Sequence, residues 1–146
     1  MGCEAEMTSS DKKVIASLYL KGHDLDPQEI TKALGVGPTT SHACGEVHKT
    51  SSGREFVTKT GLWGLVVDRD PAEVADVLEA LLMSFGKQPA LVNLPGVQEA
   101  YFDVFVALSS DEDGEGTCAM ELTSAQLSAL SHYGLPVRLT VTMGQP

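Results

Sequence analysis

The sequence predicts an α+β fold: a two-layer domain with helices on one face of a mainly antiparallel sheet. Two observations lead there. Apolar residues alternate at period two in VIASLYLK (14–21), YFDVFVALS (101–109) and PVRLTVTM (136–143), the pattern of half-buried strands. A helix-start signal recurs at Asp26, Asp70 and Thr123, each a residue whose side-chain oxygen accepts a free backbone N–H. The resulting order is β-α-β-β-α-β followed by β-α-β. Its first six elements match a ferredoxin-like plait, and the rest form a β-α-β extension.

Each element has its own warrant. In 14–21, Val14, Ala16, Leu18 and Leu20 share one face, and Ser17, Tyr19 and Lys21 the other. Asp26 then caps a helix, Pro27 suits its first position, and Glu29 is placed for a capping box. Gly35 ends that helix and Pro38 bars its continuation. Residues 39–48 read as a second strand, with Gly45 inviting a kink. KTSSGREFVTKTG (49–61) reads as a loop or hairpin arm. LWGLVV (62–67) reads as a central strand, being almost all apolar. From Asp70 the residues Val74, Val77, Leu78, Leu81, Leu82 and Phe85 form an apolar stripe. A helix of that extent is about 22 Å long. Gly86 and Pro89 stop it, and 87–100 is a linker. DEDGEG (111–116) is a turn and CAMEL (118–122) a strand. Thr123, Gln126 and Gly134 bound a third helix. In the last strand Val137, Leu139, Val141 and Met143 are expected to face the core.

The chain has 146 residues, which suits one domain. The expected division is a disordered leader, 1–13, and a single domain, 14–144. No apolar run approaches the ~18 residues of a membrane span, and the first residues lack a secretory signal's apolar core. MGC opens like a myristoylation signal, but Glu6 stands where Ser or Thr is required. Cys3, Cys44 and Cys118 are widely spaced and form no C-x-x-C pair, as expected of a reduced, cytoplasmic protein without disulfides. Ten basic and twenty acidic residues give a net charge of −10. That balance disfavours nucleic acid and favours a basic protein partner.

The ordered residues Gly22, Leu25, Asp26, Pro27, Glu29, Ile30, Thr31, Leu34, Gly35, Pro38, Thr39, Gly45, Gly61, Leu62 and Trp63 carry a resemblance. They run as a strand, then G-x-x-L-D-P-x-E-I-T-x-x-L-G, x-x-P-T, G-E, and G-L-W-x-L before an acidic-capped helix. In this order they resemble the bacterial family catalogued as domain of unknown function 4279, across residues 14–143. The resemblance brings no activity, cofactor or catalytic residue with it. This chain departs from the family pattern at Ser41, His42, Ala43 and Cys44, where aromatic and basic residues are usual.

Candidate chemistry is sparse. The glycines at 35 and 37 follow a helix, at its negative end, so they do not form a phosphate loop. On an unbroken strand His42, Cys44, Glu46 and His48 would share one face. That makes His42, Cys44 and His48 the candidate metal ligands of an alternative reading, a metal- or ligand-binding protein or small enzyme centred on 42–48. The acidic turn puts Leu122 where a calcium loop requires Glu. No nucleophile motif is present, so no catalytic residue and no cofactor are assigned. His132 suits the last turn of its helix as a cation. If the strands pair as expected, Tyr19, Lys21, Tyr101, Asp103 and Arg138 gather on the sheet face away from the helices. Tyrosine and arginine are the residues that interfaces favour. The expected function is therefore a non-enzymatic protein-binding module, masking a basic partner as immunity proteins do. The expected oligomeric state is a monomer or homodimer.

Overall fold

A computed structural model describes residues 12–69, 73–85, 91–109 and 119–144. The leader up to residue 11, the start signal at 70–72, the stop residues Gly86 and Pro89, and the acidic turn with Cys118 lie outside the described residues. The architecture is α+β. The strands are β1 (Lys12–Gly22), β2 (Thr40–His42), β3 (Val47–Lys49), β4 (Glu55–Val57), β5 (Gly61–Arg69), β6 (Glu99–Ser109) and β7 (Val137–Gly144). The helices are α1 (Pro27–Leu34), α2 (Val74–Ser84) and α3 (Ser124–Tyr133), with a 3₁₀ turn at Leu91–Asn93.

Five strands form one mixed sheet in the order β2-β5-β1-β6-β7, and β3 and β4 form a separate hairpin. Within the main sheet β1 pairs antiparallel with β5 and β6, and β2 antiparallel with β5; β6 and β7 are parallel. Two β-α-β units therefore interlock. The unit β1–α1–β2 straddles β5, and the unit β5–α2–β6 straddles β1.

All three helices lie on the same side of this sheet. Val14, Ala16, Leu18 and Leu20 of β1 have no exposed surface on that side. Trp63 is opposite Leu20 in register and donates its indole N–H to Thr31 Oγ1 of α1, 3.0 Å away. The helix α2 packs on β1 and β5, burying Val74, Val77, Leu78 and Leu81. From α3, Tyr133 meets Phe102 of β6 with ring centroids 5.9 Å apart. Gln126 ties α3 to α2 by donating to Ala75 O at 2.9 Å.

Punctuation decides where the helices begin and end. Asp26 accepts from Gln28 N, Pro27 opens α1, and Gly35 ends it in the left-handed region at φ 76°. The reciprocal box with Glu29 does not form; Asp26 Oδ1 accepts from Gln28 N, 3.0 Å away. At α3 the box is complete: Thr123 and Gln126 each accept the other's backbone N–H, and Gly134 stops the helix. The helix α2 departs from expectation. It begins at Val74 behind Glu73, which makes no side-chain capping bond, and it stops at Phe85 in extended backbone. It is 11 residues long, about 16 Å.

Three further expectations are corrected. The strand read at 39–48 is two strands in different sheets, because Gly45 adopts φ 87° and turns the chain between them. Residues 119–122 are not a strand. Met120 and Leu122 pack against the core from irregular chain, and the place beside β6 is taken by β7. Last, Val137, Leu139, Val141 and Met143 lie on the helix side but remain 42%, 59%, 47% and 51% exposed. The strand β7 extends beyond the cover that the helices give β1, β5 and β6.

Candidate functional site

The candidate site is the sheet face opposite the helices, and strand parity assembles it. Tyr19 of β1 stands opposite Gly64 of β5 and Tyr101 of β6. Asp103 stands opposite Ser17 on one side and Arg138 on the other. The five residues read from the sequence are thus brought to one face.

At its centre is Tyr101. The Arg138 guanidinium lies 3.7 Å from its ring centroid and the Lys21 ammonium 5.3 Å, so both cations meet the ring's negative π-face. Tyr19 packs beside it, centroids 5.6 Å apart and tilted by 47°. Tyr101 is left 7% exposed, on a face that none of the described helices covers, with both cations over its ring. Arg138 also donates to Glu99 Oε2 at 2.8 Å, a charge-assisted bond that fixes the guanidinium over the ring. Around this centre lie Ile15, Val66 and Phe105, all half-buried. Lys13 and Asp68 close the rim as an ion pair at 3.3 Å.

Sequence reasoning missed two contributors. Glu99 sits at the start of β6, where parity places it opposite Lys21, and an open-face acid near two basic residues was a readable signal. Gly64 acts by what it lacks. A Cβ there would lie 2.8 Å from the Tyr19 ring and 3.0 Å from Thr40 Cγ2, so glycine is what lets that ring lie across β5.

The second candidate, residues 42–48, is organised differently from expectation. Thr58 clamps the turn between β2 and β3: its hydroxyl donates to Ala43 O at 2.6 Å and accepts from Glu46 N at 3.0 Å. Glu46 in turn accepts from Ala43 N at 2.7 Å. That bond, with help from the nearby His48 and His42, holds the Glu46 carboxyl below its ordinary range. His42 and His48 meet edge to face, centroids 5.8 Å apart. The Glu46 carboxylate is 3.2 Å from His48 Nε2, at ion-pair distance but without hydrogen-bond alignment. Cys44 points elsewhere. Its Sγ lies 3.5 Å from His23 Nδ1 and donates to Lys59 O at 3.5 Å. Among the described residues no group of three or more His, Cys, Asp or Glu side chains is placed to hold a metal ion.

A third feature lies on the helix side. A cleft of about 470 Å³ separates α2 from α3, lined by Glu79, Leu82, Phe85, Ala125, Ala129 and Tyr133. Burial holds the Tyr133 hydroxyl above its ordinary pKa of 10.0, in its neutral form. No described helix is long and apolar enough to cross a membrane.

The family described as Domain of unknown function (DUF4279) matches residues 12–144. No curated protein and no solved structure matches the chain.

Proposed function

The chain belongs to the DUF4279 family, and for this member we propose a non-enzymatic role: binding another protein through the open sheet face. The observation that carries this reading is Tyr101 held between Arg138 and Lys21 with Tyr19 alongside. Arg138 is fixed by Glu99 and the two rings pack on each other before a partner arrives, which limits the side-chain entropy lost on binding.

Charge acts at two ranges. The chain carries −10 overall, which draws a basic partner from a distance. The face itself is balanced, with Lys13, Lys21 and Arg138 facing Asp68, Glu99 and Asp103. Long-range attraction therefore sets the rate of encounter, and the aromatic centre with its paired rim sets which partner stays. Masking a basic protein, as an immunity protein does, is the concrete form of this reading.

Affinity capture at low and high salt tests it, repeated with Tyr19→Ala and Arg138→Glu, whose folding is checked by circular dichroism. The expected partner is basic, is released by salt, and is lost with either variant. An acidic partner, binding indifferent to salt, or binding unchanged in both variants would overturn the reading.

A second reading places a metal or small ligand at 42–48. Its support is that His42 Nδ1 is buried without a hydrogen-bond partner, an arrangement that costs free energy unless something fills it. Zinc titration followed by the His42 and His48 imidazole NMR signals checks this. Signals unmoved by one equivalent of zinc would end it.

A further inference from the structure

We propose that two copies of this chain pair through the free edge of β7, antiparallel and about a two-fold axis at Thr140, to form one continuous ten-stranded sheet. This surface is separate from the open face, and the proposal does not rest on the protein-binding reading.

The argument starts from hydrogen-bond phase. Phe102 is in register with Val137, and its N–H donates to Pro136 O at 2.9 Å. In a parallel ladder that phase turns the backbone groups of Arg138, Thr140 and Thr142 toward β6. It turns those of Val137, Leu139, Val141 and Met143 outward, along an edge that no other described strand pairs. The same four residues carry the exposed apolar side chains. Unpaired backbone and unburied apolar surface therefore coincide on one strand.

Edges of this kind are ordinarily blunted by shortness, charge, proline or a bulge. The strand β7, VRLTVTMG, is 8 residues long and has a single charged side chain. That residue, Arg138, is already engaged by Glu99 and Tyr101 on the open face. Although the chain has twenty acidic residues, none lies on this strand. The opposite edge, β2, is three residues long.

The occupant is a second copy because the strand is complementary to itself. With Thr140 on the axis, Val137 faces Met143, Leu139 faces Val141 and Arg138 faces Thr142. Every apolar side chain meets another, and no like charges meet. The pairs Leu139–Val141 and Val137–Met143 are also the ones whose backbone groups point outward, so the register satisfies side chains and backbone together. It gives about eight inter-chain hydrogen bonds. A two-fold axis perpendicular to the sheet keeps the helices of both copies on one side. Isologous contact of this kind closes on itself and does not propagate into fibres.

Analytical ultracentrifugation of the full chain over a range of concentrations reads the equilibrium. Wild-type protein is expected to pass from monomer to dimer. Leu139→Lys places charge in the apolar row, and Leu139→Pro removes an outward N–H without touching the β6 ladder. Both are expected to stay monomeric wherever wild type pairs, with circular dichroism unchanged. Tyr19→Ala, on the open face, is expected to dimerise as wild type does. Thr140→Cys, with Cys3, Cys44 and Cys118 changed to Ser, is expected to cross-link under oxidation, since facing residues at a non-hydrogen-bonded antiparallel position stand about 4.5 Å apart at Cα. A wild-type monomer throughout overturns the proposal. So does a dimer that survives both Leu139 variants, or one that Thr140→Cys fails to cross-link. Should Leu139→Pro unfold, Leu139→Lys alone decides.

Discussion

Trp63 and Gly64 are neighbours on β5, and the two sides of the sheet differ as they do. Trp63 points toward the helices, is completely buried, and bonds to Thr31 of α1. Gly64 offers no side chain to the other side, and the Tyr19 ring fills the space. One side is held together by volume packed between elements. The other is held by an aromatic centre, two cations over it and the Glu99 carboxylate that positions Arg138. Stability on the helix side comes from burial, whereas the open side is organised by ring, cation and half-exposed ion-pair contacts. Substitutions should therefore divide cleanly between the two.

The largest effect is expected from Trp63→Ala, at about 3–5 kcal/mol of lost stability by chemical denaturation. A loss below about 1 kcal/mol would mean that the helix side does not dominate folding. Next is Gly64→Ala, whose new methyl group meets the Tyr19 ring and Thr40. A loss of roughly 1–3 kcal/mol is expected, and combining it with Tyr19→Ala should recover part of it if the clash is with that ring. Thr123→Ala removes the capping box of α3 and should cost about 1 kcal/mol, read as a lower melting temperature. Arg138→Ala is expected to cost about 1 kcal/mol or less, because its pair with Glu99 is half-exposed, while abolishing partner capture. That split between stability and binding is the sharpest check on the comparison.

The smallest effect concerns pH. The Glu46 carboxyl titrates below its ordinary value of 4.5 in the folded chain, so it contributes stability above about pH 4.5 that is lost as pH falls through its lower folded value. Wild type should exceed Glu46→Gln in melting temperature at pH 6, and the gap should close in acid. A gap that widens in acid would reverse the sign.

The legible parts of this fold were the local ones. Asp26, Gly35, Thr123 and Gly134 act at caps whose chemistry spans a few residues, and each does what its type and position demanded. Period-two alternation placed Tyr19, Tyr101 and Arg138 on one face, because parity within each strand carries across a sheet. What parity cannot give is depth: it put Val137, Leu139, Val141 and Met143 on the correct side, but not whether a helix reaches over them. Glycine at 45 signalled a turn, but only tertiary pairing separates β2 into one sheet and β3 into another. Cys44 meets His23, 21 residues away in sequence, through loop geometry that no local pattern encodes.

One corner of the molecule has a consequence for how the chain can vary. A Cβ at Gly22 would lie 1.7 Å from Gly96 O, one at Gly96 would lie 2.7 Å from Asp24 O, and one at Gly61 would lie 2.8 Å from Gly22 O. Main chain rests directly on main chain at all three, so none tolerates even a methyl group while the others keep their places. The three are therefore expected to vary together among relatives, kept or lost as a set. A lineage that replaced one alone would have had to rebuild the whole junction around Leu25.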